Sequence, residues 1–166
     1  MAEVLLQSAF NQAGLDVIVD STGISDEEAG HPMDRRAVRV LAAHGIAAKP
    51  AHRARQITGT DLAETDLLIP MTANHARSLR RLAAAQNLNP DIKMMRWFDP
   101  ILNSGMPDVA GKSVLDDFVF ADSRLDVDDP WYGGMGEFEN CLAELQAAVP
   151  GVVDYVRQQL ESQAGK

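Results

Sequence analysis

Thiol and imidazole side chains are few in this chain. There is one cysteine, Cys141, and there are four histidines. No group of His, Cys and Asp has the spacing of metal ligands. The densest set of reactive groups lies in Asp126–Gly136, a loop by composition, where Asp126, Asp128 and Asp129 precede Trp131 and Tyr132. Carboxylic acids so placed can give and take protons. An Asp-Pro step such as Asp129-Pro130 is also, on its own, an ordinary turn.

The elements that must position these groups follow from patterning. Met1–Ala13 has Val4, Leu5, Ala9 and Phe10 at helical spacing, and Gly14 stops it. Leu15–Asp20 is β-branched and apolar, as a short buried strand should be. Ser21–Met33 is a long polar loop. Asp34 caps a helix reaching His44, ended by Gly45. Thr58 and Asp61 can open a further helical turn. Asp66–Met71 predicts a second strand, and Thr72 caps a helix to about Gln86 whose outer face carries Arg77, Arg80 and Arg81. Ile92–Trp97 predicts a third strand. Asp99–Asp122 is irregular. Glu137–Val149 and Gly151–Gln163 predict helices, broken or bent at Pro150-Gly151. Strands alternating with helices argue for an α/β domain with a parallel sheet.

Composition bounds the function. The 166 residues suit a single domain spanning the whole chain, 1–166. The net charge of −9 argues against non-specific binding to nucleic acid or anionic membranes. No apolar run approaches the roughly 20 residues of a membrane span. A single cysteine excludes an internal disulfide and fits the reducing cytoplasm.

Several landmarks stand in a telling order. Asp20-Ser21 ends the first strand. Gly30–Ala37 opens a helix that closes on His44-Gly45-Ile46. Then follow His52-Arg-Ala-Arg-Gln-Ile-Thr58, the strand ending at Met71, Phe98-Asp99-Pro100, and Asp129-Pro-Trp-Tyr-Gly-Gly134. This order resembles the low-molecular-weight protein-tyrosine phosphatase family over nearly the whole chain.

The resemblance implies a three-layer, Rossmann-like α/β domain with a four-stranded parallel sheet. It also implies hydrolysis of protein phosphotyrosine through a cysteinyl-phosphate, without a cofactor. The family's phosphate loop, Cys-x5-Arg-Ser-Pro, is often followed by Met-Ala-Glu, and this chain begins Met1-Ala2-Glu3. The first strand, the nucleophilic cysteine and the phosphate-binding arginine are therefore expected upstream of residue 1. The chain as given is expected to be inactive. Cys141 is on the wrong element to replace that nucleophile, and no arginine follows it at the required spacing.

By the same resemblance, Asp129 is the general acid, with Asp128 as the runner-up. Trp131 and Tyr132 line the phosphotyrosine slot. Ser21 braces the phosphate loop, and His52 joins the same network. Glu27-Glu28 stand where the family often has an aromatic wall. Substrates would be phosphotyrosine-containing proteins, and bacterial relatives often oppose a tyrosine kinase. A non-catalytic binding module is the rival reading. An arsenate-reducing relative would need further cysteines to resolve a disulfide.

Overall fold

The structure, a computed structural model, describes residues 1–49, 51–104 and 123–165. Its elements are α1 (Ala2–Gln12), α2 (Arg35–Ala43), α3 (Gly59–Glu64), β1 (Leu67–Leu68), α4 (Ala73–Ala85), β2 (Asp91–Ile92), α5 (Pro100–Asn103) and α6 (Met135–Ala164). Single 3-10 turns stand at Met95–Phe98, Ser123–Leu125 and Pro130–Tyr132. Most of the predicted irregular segment, residues 105–122, lies outside the described residues.

The helices start and stop where local chemistry directs. Asp34 caps α2 by accepting from Arg36 N, and Gly45 leaves it at φ 70°. Thr58 and Asp61 form a reciprocal capping box on α3. Thr72 caps α4 through His75 N.

The parallel pair β1–β2, with Leu67 opposite Asp91 and Leu68 opposite Ile92, separates two apolar clusters. Successive strand residues face opposite sides. Leu67 and Ile69 accordingly pack on the cluster built from α1, α2 and α6 (Leu6, Phe10, Leu41, Leu142 and Val152 among others). Leu68 and Ile92 belong to the cluster with Leu62 of α3 and Ala76 and Leu79 of α4. A small parallel sheet thus lies between two helical layers, as expected for a three-layer α/β fold, though the protein is richer in helix.

Three expectations about elements need correction. Leu15–Asp20 is no regular strand among the described residues. Its Val17 and Val19 pack inward while Ile18 is 92% exposed, the alternation of a strand. In place of a neighbouring strand, the Gln7 carboxamide donates to Val17 O at 2.9 Å and accepts from Val19 N at 3.0 Å. Ile92–Trp97 keeps only its first residue as strand, because the chain then turns through Met95–Phe98.

Pro150 does not break the last helix, which runs unbroken from Met135 to Ala164. Pro150 and Gln146, four residues earlier, are both exposed. The hydrogen bond that proline cannot make is therefore lost on the wet side, where water can replace it. Gly151 next to it has a packing role. A Cβ there would stand 2.2 Å from Phe98 O, so only glycine lets α6 lie this close to the 3-10 turn.

Candidate active site

Two groups of side chains stand out. The first is centred on Glu3, in the first turn of α1. Although charged, Glu3 is only 5% exposed, and a buried carboxylate needs donors. The Ser21 hydroxyl and the Lys49 ammonium at 2.9 Å supply them, and His52 Nδ1 lies 3.2 Å away. Burial alone would raise the Glu3 carboxyl. The Ser21 hydrogen bond and Lys49 outweigh it and hold the group below its ordinary value, with His52 adding to the effect. Ser21 and His52, named on sequence grounds, thus meet on one carboxylate at the start of α1.

The second group is the loop bearing Asp129. Its approach is tied down on three sides. Val127 N donates to Met71 O at 2.8 Å. Asp126 Oδ1 accepts from Ala73 N at 2.7 Å, capping α4. Glu144 of α6 accepts from Asp128 N at 3.3 Å and from Arg96 at 3.0 Å. Asp126 is therefore committed to a helix start. Asp129 is exposed and accepts from Trp131 N at 3.0 Å, which caps the 3-10 turn Pro130–Tyr132. Trp131 is 46% and Tyr132 97% exposed, so both rings are open to a partner.

The only cysteine, Cys141, is buried in α6. Burial pushes its thiol up to about 11, with Glu144, Asp129 and Asp128 adding to the rise and the charge at Met1 opposing it. A nucleophilic cysteine needs the opposite shift. Across the loop, burial lowers His75 of α4 while Asp126 and Asp129 oppose that shift.

Comparison with known proteins now bears on this arrangement. A sequence model of the family described as low molecular weight phosphotyrosine protein phosphatase matches residues 1–112. The chain belongs to that family. The low molecular weight protein-tyrosine-phosphatase of Streptomyces coelicolor is 34% identical over 166 residues, covering 99% of this chain and 89% of the relative. Low molecular weight protein-tyrosine phosphatase A of Mycobacterium tuberculosis is 35% identical over 162 residues, covering 96% and 85%. Among solved structures, a protein tyrosine phosphatase from Entamoeba histolytica superposes with a TM-score of 0.74 at 19% identity, covering 95% of this chain and 88% of that one. That last likeness concerns the fold.

Within the phosphatase family frame, the structure adds residues that sequence reasoning passed over. Glu3 and Lys49 complete the group around Ser21 and His52. The signal for Glu3 was present, since it falls on one helical stripe with the buried Leu6 and Phe10. Arg36 was also missed as a contact of the Asp129 loop, donating to Gly133 O at 2.8 Å. Glu27 and Glu28 are exposed, and Glu28 meets His31 at 2.8 Å. Among the described residues no group of His, Cys, Asp or Glu could hold a metal, and no helix is long and apolar enough to cross a membrane.

Proposed function

We propose that residues 1–166 belong to one phosphatase-like domain whose chemistry, once a Cys-x5-Arg loop stands ahead of α1, is hydrolysis of phosphotyrosine in proteins, with Asp129 as the general acid. The observation that supports this reading best is the exposed Asp129 carboxylate held beside two open aromatic rings, Trp131 and Tyr132. An aryl phosphate lying against these rings would present its bridging oxygen to the acid in the same loop. Protonating that oxygen as the P–O bond breaks yields the neutral phenol. The resulting carboxylate can then take a proton from the water that attacks the phosphoenzyme.

Phosphate itself would sit at the N-terminal end of α1, where backbone N–H groups favour an anion. Ser21, His52 and Lys49 support this place indirectly, by fixing Glu3 in that helix's first turn. Attack on phosphorus requires a thiolate and an arginine in front of α1. These 166 residues contain no Cys-x5-Arg, and Cys141 is a buried thiol, so the polypeptide as it stands is read as inactive. The proposed setting is the cytoplasm, with phosphotyrosine proteins, a bacterial tyrosine kinase among them, as substrates.

The acid role is tested in this chain carrying a Cys-x5-Arg loop ahead of Met1. Asp129→Asn keeps an oxygen to cap Trp131 N but cannot donate the proton. General acid catalysis contributes roughly 10²–10⁴-fold. Phosphotyrosine peptide hydrolysis should fall by that order, and p-nitrophenyl phosphate, whose leaving group hardly needs the proton, should fall far less. Equal losses on the two substrates would remove Asp129 from the role.

A further inference from the structure

The Arg36 guanidinium stands where three parts of the protein meet. On one side its Nε and Nη2 donate to the two oxygens of Asp34, at 3.1 and 2.8 Å. Asp34 is itself fixed, because it caps α2 by accepting from Arg36 N at 2.6 Å. On the other side Nη1 reaches Gly133 O, at the exit of the Pro130–Tyr132 turn. The guanidinium carbon lies 4.6 Å from the Phe138 ring centroid and 5.9 Å from that of Trp131. Both distances are within the range at which a cation is attracted to an aromatic face.

We infer that Arg36 is a positioning residue for the acid loop. It clamps the Trp131 ring and the Gly133 carbonyl to the start of α2 and thereby sets where Asp129 points. The link to Asp129 is short. Trp131 N donates to Asp129 Oδ1, so the peptide that carries the indole also holds the carboxylate. A planar cation suits this place. Its edge serves Asp34 and Gly133 while its faces serve the rings, which a lysine ammonium cannot do at once. Tyr132 is 97% exposed while the Trp131 ring stands against Arg36, so the Trp131 side of the slot is the fixed wall. The consequence for substrates rests on the phosphotyrosine reading above. A fixed indole favours a flat aryl group over an alkyl phosphate.

The test needs no catalysis. The chain has two tryptophans, Trp97 and Trp131. In a Trp97→Phe background, Trp131 alone reports by fluorescence anisotropy and acrylamide quenching. Arg36→Met should lower the anisotropy and expose the indole, with the docked population falling roughly 2- to 5-fold, the range expected for one partly exposed cation–π contact. Far-UV circular dichroism, retained at the parent's level, identifies a folded variant. If Arg36→Met fails to fold, Arg36→Lys decides, and it should restore only part of the parent's anisotropy. Anisotropy equal to the parent's in a folded Arg36→Met chain, or full restoration by lysine, overturns the inference. Since no substrate enters, this outcome is separate from that of the Asp129→Asn assay. An anchored Trp131 together with equal losses in that assay would count against the acid assignment alone.

Discussion

The Ser21 hydroxyl donates to Glu3 Oε2 at 2.5 Å, joining the loop after the first extended segment to the opening turn of α1. With Lys49 and His52 on the same carboxylate, one buried charge holds together three stretches that are distant in sequence. Removing that charge should cost more than a surface ion pair. Hydrogen bonds to charged groups contribute about 1.5–3 kcal/mol each, so Glu3→Gln should lower stability by at least that order in urea unfolding. Unchanged stability would mean that the group is incidental.

The same carboxylate predicts an acid limb. Its folded value is depressed below the ordinary 4.5. The unfolded chain therefore binds the proton first as pH falls. The stabilisation is complete above the ordinary value and is lost as pH drops through the lower, folded one. Stability measured across the acid range should fall less steeply in Glu3→Gln than in the parent. Parallel curves would contradict the assignment.

Cys141 predicts the opposite limb. Its thiol is raised from 9.0 to about 11, so the unfolded chain loses the proton first. The contribution is intact below the unfolded value and fades as pH climbs through the folded one. At about pH 8 the folded protein should resist iodoacetamide and become labelled only on unfolding. Rapid labelling of folded protein would mark Cys141 as a reactive thiol after all.

At Gly151 a methyl group would meet Phe98 O at 2.2 Å, so α6 or the 3-10 turn must move. Overpacking costs about 1–3 kcal/mol. For a chain of this size each kcal/mol lowers Tm by roughly 2–4 °C. A calorimetric Tm for Gly151→Ala equal to the parent's would show that the contact is slack.

The legible parts of the sequence were those with a local cause. Asp34, Thr58 and Thr72 announce helices because a cap acts within three residues. Leu15–Asp20 carries a strand's alternation, but strand status depends on a partner, and here Gln7 takes the bonds. Met94 and Met95 continue an apolar run without saying that the chain turns there, since a short buried run has no period to read. Pro150 misled because the usual rule assumes a lost hydrogen bond that matters, and this one faces solvent. In the site, Ser21 and His52 were visible through the family's motif order. Glu3 was legible only as a member of the buried stripe of α1, and the partners of Glu3 and Arg36 were hidden because each has an adequate local explanation. An acid suits a helix N-terminus, and an arginine suits the Asp34 two residues before it. Their long-range partners exist only in the folded chain.

The most direct test of the whole account is hydrolysis of p-nitrophenyl phosphate by the 166-residue chain, alone and with a Cys-x5-Arg loop placed ahead of Met1. The account predicts no turnover from the first and phosphatase activity from the second. Turnover by the 166 residues alone, or none after the loop is supplied to a folded chain, would contradict it.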